Sequence, residues 1–381
     1  MFFAPKVIYP IGLDISDLSI KLIQLTKIRD KIKISAVGCA RLQPGIIEKG
    51  EIIKEDILEK EILKLLASPQ YGKVESDEVI ACLPETQTFI KLIDVEKKKN
   101  LDEPIKEEIE KHIPIPIEEL YFDYQVIEEK ITEASVLIGA APKKVVDKFT
   151  SLLDKINLSV IALEIEPISI CRALLLEEGR KNKGKHEKNY CLLDIGAKRA
   201  SLTVYSKNSI LFSMSLPISG EEITDTIEKK IKLNREQAEK AKIICGLDKE
   251  KAEGAVKAIL AEHMGKLLSR IKESLDFYLM HYAEYGPIDK IILCGGGGNI
   301  RDLPAYLSEE LKIDAIVGDP FVNIGGDKEK YGGAFLEKFN IDAKKTKGKE
   351  PVRSKSLMQG KELTYTTAIG LGLREVFIDE M

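Results

Sequence analysis

The chain opens on apolar runs broken by short polar turns, with the period of strands. Ile11-Gly-Leu-Asp14-Ile and Ser19-Ile-Lys21-Leu-Ile23 read as two apolar strands about a tight turn, and Lys31-Ile-Lys-Ile-Ser-Ala-Val-Gly-Cys39 alternates as a third. Residues 42–53 form a turn-rich connector. Glu55 to Ala67 places Ile57, Leu58, Ile62, Leu65 and Leu66 at helical spacing, and Glu78-Val-Ile-Ala-Cys-Leu-Pro84 is a buried strand ended by proline. The order βββαβ is the first half of an α/β lobe.

The pattern then changes. Phe89 to Val95 is a strand, and Asp102-Glu-Pro104 starts a helix with proline in its first turn. The two prolines of His112-Ile-Pro-Ile-Pro116-Ile stop that helix. Tyr121 to Ile127 and Glu133 to Ala140 pair as strands, and Lys144 to Ile156 is an amphipathic helix, which together predict a small inserted α+β unit. From Val160 a strand returns to the first lobe and runs through Glu166-Pro167 into a helix, Ile168 to Glu178. A polar linker, Gly179 to Lys188, precedes a second set of strands. Helices are expected at Glu221 to Leu233, Glu236 to Lys242, Ala252 to Tyr282 and Leu303 to Leu311, a strand at Ala315 to Val317, and a glycine-containing apolar helix at Tyr365 to Glu375.

A chain of 381 residues predicts two lobes around more than one core, and 44% hydrophobic residues suffice to fill them. Charged residues make up 31% but leave a net charge of only -4, so no global field favours nucleic acid or an anionic membrane. The six cysteines include no C-x-x-C pair and read as buried thiols in a reducing compartment. The four histidines are isolated, which argues against a metal or nucleophilic role for them. No apolar run approaches the ~20 residues needed to span a bilayer, so a cytoplasmic chain without a direct membrane span is expected.

Three turns carry the chemistry. Ile11-Gly-Leu-Asp14-Ile-Ser16 and Tyr190-Cys-Leu-Leu-Asp194-Ile-Gly196-Ala197-Lys198 each end an apolar strand on an acid before a second strand begins. Such a hairpin can aim backbone N–H groups at phosphate while its carboxylate holds hydrated Mg²⁺. In the third, Ile291-Ile-Leu-Cys-Gly295-Gly296-Gly297-Gly298-Asn299, glycine allows a nucleotide to lie against the backbone, and a helix expected from Asn299 can turn its N-terminus to a diphosphate. There is no G-x-x-x-x-G-K-[ST] and no strand-linked G-x-G-x-x-G, which sets aside P-loop and Rossmann readings.

In order and content the three turns resemble the phosphate 1, phosphate 2 and adenosine motifs of the actin-like ATPases. His112-Ile-Pro-Ile-Pro-Ile-Glu-Glu-Leu-Tyr-Phe-Asp-Tyr-Gln125, Asn157 to Pro167, Gly318-Asp-Pro-Phe321 and Ala368 to Arg374 further resemble segments of the PilM family of type IV pilus assembly, over nearly the whole chain. The resemblance implies an α/β fold, the two-lobed actin and heat-shock ATPase architecture with ribonuclease H-like halves and an inserted α+β subdomain of the kind FtsA and PilM share. It divides the chain into subdomain 1A over 1–85, the inserted 1C over 86–163, a return to 1A over 164–188, 2A over 189–220 and 286–342, 2B over 221–285, a mobile loop over 343–361 and a C-terminal helix of 1A over 362–381.

It also implies ATP or ADP with Mg²⁺ as cofactors. Asp14 and Asp194 would flank the metal from opposite lobes. Ser16 would hold phosphate from one side and Gly196-Ala197 from the other, and Gly295, Gly296, Gly297 and Asn299 would bear the adenosine. Lys21 is either an outward strand lysine or a phosphate contact, and Lys198 and Arg199 carry the same two readings. Glu239 and Lys242 match a Glu-x-x-Lys pattern that touches ribose, or form a surface i,i+3 pair. Glu166 matches the acid that orients the attacking water, or is a helix N-terminal acid satisfied by the dipole. Where polar residues are usual after Asp194-Ile-Gly-Ala, this chain has Lys198-Arg199. The implied function is an ATP-binding scaffold with at most weak ATPase activity, held at the inner face of the cytoplasmic membrane within the pilus inner-membrane complex. Its implied partner is the cytoplasmic N-terminal peptide of PilN, docked in the groove between 1A and 1C, and self-association is allowed. An FtsA-like division scaffold and a small-metabolite kinase are the alternatives on this fold.

Overall fold

The computed structural model describes residues 6–29, 31–98, 100–175, 188–325 and 361–378. Apart from Lys188 and Lys361, the polar linker and the 343–361 loop lie outside the described residues. The chain begins with an antiparallel meander of β1 (Lys6–Ser16), β2 (Ser19–Ile28) and β3 (Lys31–Arg41), then a short ribbon of β4 (Ile47–Glu48) and β5 (Glu51–Ile52). After β6 (Tyr71–Gly72), β7 (Glu78–Leu83) runs parallel to β1. Much later β11 (Ser159–Ile165) adds parallel to β7, giving the order β11-β7-β1-β2-β3-β6.

The alternation of β1 sorts this sheet's two faces. Ile11, Leu13 and Ile15 are buried with Leu58, Ile62 and Leu65 of helix Glu55–Ala67 and with Phe149, Leu152 and Leu153 of helix Lys143–Lys155. Each such side chain contributes about 1.5–3 kcal/mol on burial. Gly12 points to the other face, where helix Thr366–Gly372 lies directly on the strand: a Cβ there would stand 2.3 Å from the Ala368 carbonyl oxygen. Arg172 fixes that helix further, its guanidinium donating twice to Glu164 and once to the Gly370 carbonyl, each at 2.8 Å. Arg374 reaches the same carboxylate at 3.0 Å.

The second sheet has the order β16 (Asp314–Val317), β15 (Lys290–Cys294), β12 (Tyr190–Ile195), β13 (Ala200–Ser206), β14 (Ser209–Leu216), β8 (Phe89–Glu96), β10 (Glu133–Pro142) and β9 (Leu120–Glu129). β12, β13 and β14 form its meander, and β15 and β16 add parallel to β12. Cys191, Leu193 and Ile195 face a core shared with helices Gly220–Ile231, Ala255–His281 and Leu303–Leu311. Leu192 faces the opposite way, with Ile292 and Cys294, against Ile170, Cys171 and Leu174 of helix Glu166–Leu174. That helix therefore lies between the sheets, since its Ala173 packs into the first lobe.

The inserted stretch divides its loyalties. β8, β9 and β10 prolong the second sheet through one residue pair, Phe212 opposite Lys91, and with helix Asp102–His112 enclose a small core of their own. Helix Lys143–Lys155 instead belongs to the first core, clamped by Lys148 and Lys155 to Glu55. The chain is back in the first sheet at Ser159, one residue ahead of the strand expected from Val160, whereas the division implied by the resemblance carries the insertion on to 163. Ile113 is buried in the inserted core, Ile115 and Ile117 pack against it, and Pro114 and Pro116 face outward, so this segment's isoleucines mostly fill their own unit. Helix Glu166–Leu174 starts two residues earlier than expected, taking Glu166 and Pro167 as its first turn, because proline is compatible with a first-turn position.

Candidate functional site

The two acid-ended hairpins meet at the N-terminus of helix Glu166–Leu174. In the first, Ser16 pairs with Ser19 across a two-residue turn, and Asp14 stands opposite Lys21. The Ser16 hydroxyl donates to the Ser19 carbonyl at 3.0 Å. Asp17, within the turn, is buried and accepts the Gly50 amide at 2.9 Å, which anchors the turn to the chain below it. Lys21 is no outward lysine: it is part-buried and its Nζ donates to Asp14 Oδ2 at 2.9 Å. Burial pushes its ammonium down, but the Asp14 charge and hydrogen bond outweigh that and hold its pKa above the ordinary value.

In the second hairpin Asp194 stands opposite Ser201 and the turn spans Gly196, Ala197, Lys198 and Arg199. Gly196 donates to the Arg199 carbonyl at 2.8 Å, while the amides of Gly220 and Glu221 donate to the Gly196 and Ala197 carbonyls at 3.0 and 2.9 Å. The turn is thus joined to the start of helix Gly220–Ile231. Behind that joint is Lys242, buried, whose ammonium donates to the Gly220 carbonyl, Thr224 and Glu239 at 2.9, 2.8 and 2.7 Å. All three of its protons are committed, so Lys242 braces the second turn from behind, and Glu239 is the half-exposed member of the pair. Lys198 faces outward to Glu221 at 3.1 Å.

The third turn departs from its expected use of glycine. Gly295 has a φ of +68°, and a Cβ there would meet Asp194 Oδ1 at 2.1 Å; one on Gly297 would meet Ile195 Cγ2 at 2.2 Å. These two glycines let the turn press onto the end of β12 and fix the Asp194 side chain. Gly296 alone of the three has room, with Thr364 Cγ2 at 3.7 Å. The helix expected from Asn299 begins at Leu303, because Gly296–Asn299 close into a tighter 3-10 turn in which Asn299 Nδ2 donates to the Gly296 carbonyl.

Four carboxylates converge between the hairpins. Glu166 is pushed up to about 8 by burial, then by Asp194, Glu85 and Asp14. Asp194 rises to about 6, first by burial, with Lys21 opposing and Asp14 adding to the rise. Glu85 rises to about 7 through burial, partly offset by Arg199. Thr367 of the C-terminal helix donates to Glu166 at 3.1 Å. Glu85 and Thr367 escaped the residue-level reading of the site. Glu85 does follow the proline that ends β7, an acid at a strand end like Asp14 and Asp194, and that was its signal. Among the described residues no group of three or more acidic, histidine or cysteine side chains is arranged to enclose a metal. The donor set nevertheless suits Mg²⁺, which keeps several waters and needs one or two carboxylates.

Two lobes, each a sheet with an acid-ended hairpin whose acids share one buried cluster, define an actin-like protein. The chain belongs to the family of type IV pilus assembly protein PilM, which it matches over residues 12–331. It is similar in fold to the protein of the PilM-PilN type IV pilus biogenesis complex, at 21% identity, 97% of this chain, 98% of that one and a TM-score of 0.76. The ethanolamine utilization protein EutJ from Carboxydothermus hydrogenoformans aligns at 12% identity over 96% and 89% of the two chains, with a TM-score of 0.52. AMPPNP-bound MreB5 of Spiroplasma citri aligns at 12% identity over 99% and 97%, with a TM-score of 0.51. The cell division protein FtsA of Buchnera aphidicola subsp. Acyrthosiphon pisum is 26% identical over 165 residues, 37% of this chain and 39% of that protein. Among the described residues no helix is long and apolar enough to cross a membrane.

Proposed function

We propose that this chain is a nucleotide-dependent scaffold of type IV pilus assembly that binds ATP or ADP with Mg²⁺ in the cleft between its lobes. One observation carries the reading: Asp14 and Asp194, at the ends of strands from different sheets, share one buried electrostatic cluster with Lys21 and Glu166. The two aspartates would hold the hydrated metal, and the Ser16 and Gly196-Ala197 turns would take the phosphates from opposite sides. Gly296, the open glycine, would receive the adenosine side. The bound metal supplies charge neutralisation of the phosphates. Glu166 would orient the water for attack, and slow or no hydrolysis is the rate this reading expects.

The same reading makes the protein cytoplasmic and peripheral, recruited to the inner membrane by the N-terminal peptide of a PilN-type partner between the first lobe and the inserted unit. Support comes from the family membership and from an insertion whose parts engage both lobes. The test is hydrogen exchange on the intact protein with and without that peptide. Protection is expected within 86–163 and the first-lobe surface beside it, and protection confined to the second lobe would refute the docking site. A steady-state ATP turnover on the order of 1–100 s⁻¹, typical of kinases, would refute the scaffold.

A further inference from the structure

Glu85 and Arg199 face each other from different lobes. Glu85 opens the short turn Glu85–Gln87 after β7, and Arg199 closes the second hairpin turn. Arg199 Nε lies 3.9 Å from Glu85 Oε2, with side chains only 21% and 12% exposed. Ser201, on the next strand, also favours the charged form of Glu85. On the first-lobe side Glu85 is firmly mounted. Thr86 donates to the Lys49 carbonyl at 2.9 Å, and the next amide, that of Gly50, donates to Asp17 in the first hairpin turn, also at 2.9 Å. Pro84 packs so closely on Gly50 that a Cβ there would be 2.4 Å away. The first hairpin turn, residues 49 and 50, and Glu85 therefore move as one block.

On the second-lobe side the guanidinium is less constrained, since 3.9 Å is beyond hydrogen-bond length and Arg199 retains donors for another acceptor. Its charge reaches Glu85, Glu166 and Asp194 alike. Lys21, the other cation of the cluster, is already bonded to Asp14. We propose that Arg199 is a phosphate-binding residue of the cleft and that Glu85 holds it as an inter-lobe latch, which a nucleoside polyphosphate displaces by taking the guanidinium for itself. This rests on the nucleotide reading above. A planar guanidinium fits paired phosphate oxygens better than one carboxylate oxygen at this distance, so the exchange favours phosphate. Removing the Glu85 charge both frees Arg199 and lowers the repulsion of an incoming polyanion, so its sign is opposite to that of a merely structural acid.

The experiment is a fluorescence titration of the intact protein with ATP and with adenosine, on wild type, Glu85→Gln, Arg199→Ala and Arg199→Lys, with circular dichroism to check folding. Arg199→Ala is expected to weaken ATP about tenfold or more and to leave adenosine unchanged. Arg199→Lys should fall in between, and serves if the alanine variant does not fold. Glu85→Gln is expected to tighten ATP several-fold and to speed hydrogen exchange of residues 84–88 in the nucleotide-free protein. If wild type binds ATP but Glu85→Gln leaves its affinity unchanged or weaker, the latch is wrong while the nucleotide reading stands. If wild type binds no nucleotide, both fall.

Discussion

Replacing Gly12 with alanine adds one methyl group where two backbones already touch. Its Cβ would lie 2.3 Å from the Ala368 carbonyl oxygen and 2.4 Å from the Gly372 amide nitrogen. Neither neighbour is the end of a flexible side chain, so the whole C-terminal helix must lift by about 1 Å to restore an ordinary contact. Overpacking of this kind costs ~1–3 kcal/mol, and with rigid backbone on the receiving side the upper end, about 3 kcal/mol, applies. Lifting the helix also draws Thr367 away from Glu166. Gly265 gives the opposite sign within the same molecule. It lies in the exposed middle of helix Ala255–His281 with nothing within 4 Å of an added Cβ, so Gly265→Ala should stabilise by about 1 kcal/mol through helix propensity. Urea unfolding of the two variants, with unchanged slopes, should therefore place them about 4 kcal/mol apart. A Gly12→Ala protein within about 1 kcal/mol of wild type would show that the C-terminal helix does not rest on β1 as described.

Lys242→Met should destabilise by about 1–3 kcal/mol, the value of bonds to a charged group, kept low because Glu239 is half exposed. Its specific sign is faster hydrogen exchange at the amides of Gly220 and Glu221, and unchanged exchange there would remove Lys242 from its bracing role. The Glu55 clamp predicts a pH dependence: hydrogen bonds from Lys148 and Lys155 hold its carboxyl down to about 2 from an ordinary 4.5. A depressed acid stabilises the fold above its unfolded pKa and loses that contribution as pH falls through the folded value. Wild type should accordingly lose its advantage over Glu55→Gln between about pH 4.5 and 2, and parallel stability curves across that window would contradict the clamp.

Much of the candidate site's geometry is legible because its signals are local. A strand ended by an acid and a turn is written in consecutive residues, so Asp14 and Asp194 are recognisable as candidates in the sequence, as is the order of strands and helices. What escaped depends on contacts distant in sequence. Glu85 enters the cleft because β7 lies parallel to β1 and the second lobe then closes over it, a relation no window of sequence contains. The sequence leaves Lys242 and Glu239 open to a ribose contact or a surface pair, since nothing local says that Gly220 and Thr224 will sit on the lysine. Gly295 and Gly297 advertised backbone freedom truthfully, but the group that needs the space is the end of β12. The 143–155 helix was assigned to the insertion by adjacency, whereas its Phe149, Leu152 and Leu153 complete the first core.

The central claim is that carboxylates from both lobes serve one metal-bound nucleotide. Calorimetric titration of wild type and a folded Asp194→Ala variant with ATP, in Mg²⁺ and in chelator, tests it most directly. The account predicts that Mg²⁺ tightens ATP binding to wild type and that most of this gain disappears in Asp194→Ala, while in chelator the variant binds ATP as well as wild type or better, one carboxylate fewer repelling the polyanion. An Asp194→Ala protein that keeps the full Mg²⁺-dependent gain would contradict it.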